Sequence, residues 1–346
     1  MLVPEKIIFI GPLNLGKLPL DGETAKNQIL HDYIKFKYSN IKFVDTLHWK
    51  RSPIVMFKLF IYLIIIRNRK IVLSICPDSA NLVSKILFYS GRKKNLLYFV
   101  IGGSFAEKIN AKEYNSKYYQ HYSKIYVEGI SMVKKLNLNG LINVEHLPNF
   151  KKFNTKLLEN KPNAKNLNDK FHFVFLSRIT EEKGVKLIID AIKNLNDQQY
   201  HDQYDCTFYG NISDTFKSIF EREIRVIPNA KYGGIIDLSS DIGFKALANH
   251  DIMLFPTIWH GEGFPGVLID AFIAGLPIIA SDWNLNSEII ENNKTGFLIP
   301  PKNLISLIEI MKFSINNQPT IYNMKINCLN NANNFHIDKV MKNIQI

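Results

Sequence analysis

The feature that most limits the fold of this chain is a series of short apolar segments that alternate with helical patterns. The apolar segments are Lys6–Ile10, Ile71–Ile75, Leu96–Ile101, Lys124–Val127, Phe171–Leu176, Cys206–Tyr209, Ile252–Pro256 and Pro277–Ala280. Such segments are typical of strands buried on both faces of a parallel sheet. Between two of them, apolar residues recur at helical spacing over Val185–Leu195. The alternation predicts an α/β class with right-handed crossovers.

The alternation is interrupted once, by the polar segment Asn154–Lys170, which contains Pro162 and has no clear period. A chain of 346 residues is long enough for about two domains. We therefore expect an N-terminal domain at residues 1–152, a linker at 153–170 and a second domain at 171–318. The remaining residues, 319–346, are Asn-rich with a weak helical pattern, and we expect them to pack back across the domains.

The net positive charge of the chain comes from its first half. Residues 1–152 contain 24 Lys and Arg against 10 Asp and Glu, a net charge of +14, whereas the remaining residues contain 19 against 21, a net charge of −2. A basic face is typical of proteins that bind nucleic acid, anionic lipid or an acidic substrate. The alternative is a compositional bias toward Lys, Asn and Ile. Three scattered cysteines predict neither a disulfide framework nor a zinc site.

The most apolar segment is Ile54–Ile66, which contains Lys58 and is flanked by basic residues on both sides. It is shorter than the roughly 18 residues that a membrane-spanning helix needs. One interpretation is a buried helix of the N-terminal domain. The other is a helix that lies in the membrane interface, with its basic neighbours at the lipid headgroups. Both interpretations can hold for different faces of the segment.

Several familiar site patterns are missing from the sequence. No G-x-G-x-x-G follows the first apolar segment, and no G-x-x-x-x-G-K-[ST] occurs, which argues against dinucleotide-binding and P-loop proteins. No D-x-D pair and no H-x₃-H spacing occurs either. The sequence therefore predicts no metal site.

Two loops that follow predicted strands contain residues suited to an anionic ligand. The first contains Arg178 and Lys183, followed by Gly184 and a helix. The second runs from Glu262 through a Gly-rich turn to Asp270, with a helix expected to begin near Phe264. Ligands of open α/β sheets bind beyond the carboxyl ends of the strands, where cations and helix amides can hold a diphosphate. Acids on either side of such a turn are suited to hydroxyl groups.

Taken together, these two loops and the following GLPIIASD resemble the donor site of glycosyltransferase family 4. The resemblance is strong over about residues 170–300 and weaker in the first half. It implies the GT-B fold, in which two Rossmann-like domains with parallel sheets face a cleft. It also implies a retaining enzyme that uses a nucleotide-sugar donor, and the variant GEGFPGVLIDAF is similar to a bacterial capsule, exopolysaccharide and lipopolysaccharide subset.

The resemblance assigns roles to particular residues. Arg178 and Lys183 are expected to bind the donor diphosphate and stabilise the leaving nucleotide, and Glu262 is expected to contact hydroxyls of the donor sugar; these three form the catalytic set. Asp270 is expected to bind the ribose, and amides between residues 263 and 267 to hold sugar and phosphate. The donor-binding set is Gly22, Gly103, Gly210, Gly234, Ile235, Gly263, Phe264, Gly266, Val267 and Asp270.

The sequence departs from the family pattern in three places. Asp270 stands where a Glu is usual, and Pro265 removes one amide donor from the turn. Many members have a His after a strand in the middle of the first domain, whereas this chain has Gly102, Gly103 and Ser104 there. We interpret the missing His as a difference between subsets of the family.

The resemblance predicts an enzyme that moves a sugar from a UDP- or GDP-sugar to a saccharide or lipid-linked saccharide during surface polysaccharide biosynthesis. This enzyme is expected to need no cofactor and no metal, because Arg178 and Lys183 supply the positive charge at the diphosphate. The protein is expected in the cytoplasm, peripheral on the inner face of the membrane. An anionic lipid surface is an expected partner, and binding to nucleic acid is not expected. The alternatives are a non-catalytic GT-B subunit that binds polysaccharide or a partner enzyme, and a nucleotide-sugar epimerase.

Overall fold

The structure is a computed structural model that describes residues 3–17, 19, 21–92, 95–159, 162 and 169–346. The chain forms two compact units. Unit 1 comprises the described parts of Met1–Lys152 together with Gly261–Phe264 and Ile337–Ile346. Unit 2 comprises the described parts of Phe153–His260 together with Pro265–His336. The predicted linker contains a 3-10 turn at Thr155–Glu159, and residues 160, 161 and 163–168 lie outside the described residues.

Unit 1 is built on a six-stranded parallel sheet. Its strands are β1 (Val3–Gly11), β2 (Tyr38–Asp45), β3 (Lys70–Leu73), β4 (Leu96–Phe99), β5 (Lys124–Val127) and β6 (Val144–His146), in the spatial order β2-β1-β3-β4-β5-β6. Its first helices are α1 (Gly22–Lys37), α2 (Pro53–Phe60), α3 (Pro77–Tyr89), α4 (Ser104–Asn110) and α5 (Ile130–Leu138). Short 3-10 turns lie at Trp49–Arg51 and Ser116–Tyr118. Apolar side chains of the central strands, such as Phe9 and Val72, are buried between sheet and helices.

Unit 2 has the same architecture. Its strands are β7 (Phe171–Leu176), β8 (Tyr204–Tyr209), β9 (Ala230–Gly234), β10 (Ile252–Phe255), β11 (Ile278–Ser281) and β12 (Gly296–Ile299), in the order β12-β11-β10-β7-β8-β9. Its helices are α6 (Val185–Asp197), α7 (Asp214–Arg225), α8 (Asp241–Ala248), α9 (Gly266–Ile273), α10 (Asn286–Ile289), α11 (Leu304–Asn316) and α12 (Gln318–Ala332). A 3-10 turn at Asn333–Phe335 follows, and α13 (Ile337–Val340) belongs to unit 1.

All the strand pairings described are parallel, which confirms the predicted α/β class with two Rossmann-like sheets. The eight predicted strands are the inner strands of the two sheets. The four that the sequence did not reveal are β2, β6, β9 and β12, which are the edge strands. An edge strand has a sheet neighbour on one side only, so its sequence need not be continuously apolar, and β9 contains Lys231 and two glycines.

The interpretation of Ile54–Ile66 as a buried helix holds for one face of the segment only. The segment forms α2 and a following π-helical turn at Ile61–Ile65, but only Leu59 and Leu63 are buried in it. Ile54 and Phe57 are 70% and 65% exposed, and Met56, Phe60 and Ile65 are also exposed. The apolar residues cover more than one face of this segment, so packing against the sheet buries one face and leaves the other in solvent.

Candidate functional site

The loop that contains Arg178 follows the carboxyl end of β7. Ile179, the next residue, is buried and pairs with Ile212, so the chain is fixed immediately after Arg178, whereas Arg178 itself is exposed. A 3-10 turn at Glu181–Lys183 then leads into α6. The structure therefore places Arg178 and Lys183 where ligands of parallel sheets bind.

Lys183 is buried against an aromatic side chain that sequence reasoning did not identify. Its Nζ lies 4.4 Å from the centre of the Trp259 ring, and the guanidinium carbon of Arg178 lies 5.3 Å from the same ring. Trp259 follows β10, and its carbonyl accepts a hydrogen bond from Nε1 of Trp283 at 2.9 Å. Contact with an indole face stabilises a cation. The side chains of Arg178 and Lys183, predicted at two positions of the same loop, thus both lie against the Trp259 ring.

Gly184 allows this loop to approach the loop after β10. Its φ is +80°, and an added Cβ would lie 2.2 Å from the carbonyl oxygen of Pro256. The Ile258 N–H donates to the Glu182 carbonyl at 2.9 Å and ties the same two loops together. A side chain at position 184 would separate them, so glycine is required both by the backbone angle and by the space.

Gly210 and Gly234, both in the predicted donor-binding set, meet at the carboxyl ends of β8 and β9. The Gly210 N–H donates to the Gly234 carbonyl at 2.9 Å. Gly210 has a φ of +139°, and an added Cβ would lie 1.8 Å from the carbonyl oxygen of Ser177, the residue before Arg178. The adjacent Ile235 is 69% exposed. These positions therefore border the loop that contains Arg178.

The segment Gly261–Phe264 packs within unit 1, where Glu262 is buried. A Cβ added at Gly103 would lie 2.6 Å from the Glu262 carbonyl oxygen, and one added at Gly263 would lie 2.8 Å from Cα of Gly102. The structure thus brings together Gly103, Glu262 and Gly263, which were predicted from distant parts of the sequence. The two backbones approach so closely because neither glycine has a side chain.

The predicted row of amide donors is shorter than the sequence suggested. The Phe264 N–H donates to Oε2 of Glu128 at 3.3 Å, inside unit 1. Pro265 has no N–H and precedes α9, which begins at Gly266, two residues after Phe264 and thus close to the expected start. The Gly266 and Val267 amides are the first of α9, where no acceptor exists within the helix. Asp270 lies one turn later and is buried.

Gly22 lies in a different setting from the other predicted residues. It is the exposed first residue of α1, preceded by Asp21, whose side chain accepts from the Thr24 N–H in a capping box. Beside it, Glu23 accepts a hydrogen bond from the Cys76 N–H at 2.8 Å. Burial raises the pKa of Glu23 to about 7, the Cys76 hydrogen bond opposes the shift, and the nearby Asp21 adds to it.

Within the described ranges, no group of three or more His, Cys, Asp or Glu side chains is arranged to hold a metal ion. The metal independence of the site remains a prediction.

Comparison with known proteins places the chain in a family. The sequence model described as Glycosyl transferases group 1 matches residues 158–334. The amylovoran biosynthesis glycosyltransferase AmsK of Erwinia amylovora is 28% identical over 171 residues, which are 46% of this chain and 38% of AmsK. The capsular polysaccharide biosynthesis glycosyltransferase CapM of Staphylococcus aureus is 28% identical over 173 residues, 49% of this chain and 43% of CapM. The matches thus span less than half the length of these relatives.

The fold has counterparts among solved structures. Anabaena Alr3699/HepE, crystallised with UDP and also with UDP-glucose, superposes with a TM-score of 0.68 over 98% of both chains in its UDP complex, at 15% identity. At that identity the likeness concerns the fold alone. The fold, the family match and the named relatives agree with the resemblance found in the sequence. The chain therefore belongs to the glycosyl transferases group 1 family, has the GT-B fold and falls in the subset related to exopolysaccharide and capsule glycosyltransferases.

Proposed function

We propose that this protein transfers a sugar from a nucleotide-sugar donor to a saccharide or lipid-linked saccharide acceptor in surface polysaccharide biosynthesis. The observation that carries the proposal is the pair of cations on Trp259. Arg178 and Lys183 are separated by a turn in the sequence, yet both contact one indole ring beyond the carboxyl end of β7. The UDP and UDP-glucose complexes of HepE favour a uridine nucleotide, and a GDP-sugar is the second candidate.

The proposed chemistry is cleavage of the bond between the sugar and the diphosphate. Negative charge develops on the leaving diphosphate, and fixed cations stabilise it where it appears. Lys183 is suited to this role because burial on Trp259 holds its ammonium in place, so little reorganisation is needed during the reaction. With these cations the reaction needs no metal. The family resemblance supports retention of the anomeric configuration, with the departing phosphate acting as the base.

The remaining predicted residues would bind the rest of the donor. Glu262 would accept hydrogen bonds from sugar hydroxyls, and Asp270 from the ribose. Gly210, Gly234 and Ile235 would border the base, because they lie next to the loop of Arg178.

Replacing Lys183 tests the proposal. Lys183→Ala should lower the turnover of the donor on the order of 100-fold or more, because it removes a main charge contact to the leaving group. The matched control is Lys186→Ala, three residues along the chain, whose ammonium pairs with Asp190 on the partly exposed face of α6. Equal turnover in Lys183→Ala and Lys186→Ala would refute the role of Lys183.

The same assay separates the alternative functions. Purified protein is incubated with UDP- and GDP-sugars, with and without saccharide acceptors, and the free nucleotide and the sugar are analysed. Nucleotide release that depends on the acceptor supports the transferase. Binding without release would indicate a non-catalytic subunit, and conversion of the donor sugar without an acceptor would indicate an epimerase.

We also propose that unit 1 binds an anionic membrane surface, which would give access to a lipid-linked acceptor. The exposed apolar residues of α2 and its π-helical turn form a patch of Ile54, Met56, Phe57, Phe60 and Ile65, here called the α2 patch. Between Asp45 and Asp78 the sequence contains six Lys and Arg and no acid. No helix among the described residues is long and apolar enough to span a bilayer. Apolar insertion flanked by basic residues is the arrangement of an interfacial helix.

Vesicle sedimentation tests the membrane contact. We expect binding to vesicles of phosphatidylcholine with phosphatidylglycerol, weaker binding at high salt, and loss of binding in the variant Phe57→Glu with Phe60→Glu. Ile142→Glu is the control, because Ile142 is 89% exposed in unit 1 but lies outside the α2 patch. Binding that ignores anionic lipid and salt, or an α2 patch variant that binds like wild type, would refute this contact.

A further inference from the structure

Unit 1 contains a buried ion pair that the proposed chemistry does not use. Lys26 lies on α1 and Glu128 directly follows β5, and they are 4% and 3% exposed. Their Nζ and Oε1 atoms are 2.6 Å apart, although the residues are separated by 102 positions in the sequence. Removing two charges from water is costly, and an apolar pair of the same size is often no less stabilising. The pair therefore requires an explanation other than core stability.

The second carboxylate oxygen of Glu128 connects this pair to the loop that contains Glu262. Oε2 accepts from the Phe264 N–H at 3.3 Å. Asn149 Nδ2 donates to the Phe264 carbonyl at 2.9 Å, so both backbone polar groups of Phe264 bond to side chains of unit 1. The Glu128 carbonyl is in turn 3.2 Å from Nε2 of His146, which fixes the chain at that point.

The same loop is confined from a second direction. A Cβ added at Gly263 would lie 3.0 Å from Oε2 of Glu128 and 2.8 Å from Cα of Gly102. Gly263 therefore lies between the Glu128 carboxylate and the backbone before α4, with no room for a side chain. The backbone at the neighbouring Glu262 is constrained by two contacts. Its carbonyl oxygen packs closely against Gly103, and two residues later the Phe264 amide donates to Glu128.

We propose that Lys26 and Glu128 are positioning residues that hold the Gly261–Phe264 loop so that Glu262 is placed for the donor sugar. This inference rests on the proposed function, because it gives that loop a donor to bind. A charged acceptor holds an amide more strongly than a neutral one. Lys26 holds the carboxylate in the orientation that directs Oε2 to the Phe264 amide. The pair thus fixes the loop without either side chain contacting the donor.

A variant that tests the role of the ion pair must remove it without preventing the protein from folding. Lys26→Met alone would leave the Glu128 charge buried without its partner, and such a variant can fail to fold. The double variant Lys26→Met with Glu128→Leu removes both charges and keeps apolar volume. The control is Lys124→Met with Glu145→Gln, which breaks a half-exposed ion pair between β5 and β6. Lys124 is the first residue of β5, at the end of the strand opposite to Glu128.

The experiment measures the steady-state kcat and donor KM, hydrogen exchange of the Phe264 amide, and urea unfolding for wild type and both double variants. In the Lys26/Glu128 variant we expect cooperative unfolding with a modest loss of stability, because the Phe264 amide loses its acceptor, together with a donor KM raised about tenfold or more and faster exchange at Phe264. The Lys124/Glu145 control should match wild type in all three. A folded Lys26/Glu128 variant with a donor KM within twofold of wild type, or with unchanged exchange at Phe264, would overturn the inference.

The outcome for wild type distinguishes this inference from the proposed function. If wild type turns over a nucleotide sugar and the double variant does so equally well, the inference fails and the proposed function stands. If wild type neither binds nor turns over any nucleotide sugar, the proposed function fails, and the inference that rests on it fails too.

Discussion

Gly184 offers a quantitative test of the contact between the loop of Lys183 and the loop after β10. Gly184→Ala introduces two costs. Alanine at a φ of +80° costs about 1–2 kcal/mol, because Cβ crowds the backbone in the left-handed region. A Cβ only 2.2 Å from the Pro256 carbonyl oxygen forces the two loops apart, which costs a further ~1–3 kcal/mol. The expected loss in the free energy of unfolding is therefore about 2–5 kcal/mol.

Gly234→Ala provides the matched control for the backbone term. Gly234 has a φ of +79°, lies in unit 2 like Gly184, and has no atom within 4 Å of an added Cβ. Its replacement should cost only the ~1–2 kcal/mol of the left-handed backbone. Urea unfolding of both variants, followed by circular dichroism, measures the difference. If Gly184→Ala is no more destabilised than Gly234→Ala, the close approach to Pro256 does not exist and the placement of Lys183 on Trp259 loses its support.

Two further predictions concern charged groups outside the donor loops. Because burial raises the pKa of Glu23 to about 7, its folded state binds the proton more tightly than the unfolded state. Stability should therefore fall by about 3 kcal/mol as the pH rises from 4.5 to above 7, and Glu23→Gln should remove this slope in urea unfolding at a series of pH values. Lys325 donates to the His250 carbonyl at 2.6 Å and lies 3.6 Å from buried Asp251. Lys325→Met should lower the free energy of unfolding by about 3–5 kcal/mol, measured by calorimetry. Lys294→Met, which breaks an exposed pair with Glu291, should lower it by less than about 1 kcal/mol. Equal losses in the two variants would refute the reasoning.

The inner part of each sheet could be predicted from the sequence. Residues 171–176 form β7 as the largely apolar pattern indicated, because a strand with neighbours on both sides and helices on both faces is mostly shielded from water, and only His172 in it is partly exposed. The helix at residues 185–197 was equally clear, since its buried residues repeat at helical spacing. The edge strands were not predicted, because partial exposure allows polar residues and glycine, as in β9.

The candidate site was only partly predictable. Arg178, Lys183 and the glycines lie in loops after buried strands, and their residue types already indicated an anionic ligand. Trp259 was not identified, although it directly precedes His260 and the Gly-rich turn. Its significance depends on the distance to Lys183, which is 76 residues earlier in the sequence and comes close only because β7 and β10 are neighbours in the sheet.

The sequence by itself determined the α/β class, the two sheets and the family, because all three follow from local patterns of apolar residues and from short motifs. Tertiary structure alone decided which face of Ile54–Ile66 remains in solvent, that the Phe264 amide bonds to Glu128, and that Lys26 neutralises that carboxylate. These facts depend on contacts between segments that are far apart in the chain. Local patterns specify which elements form, whereas the packing of those elements determines which side chains meet.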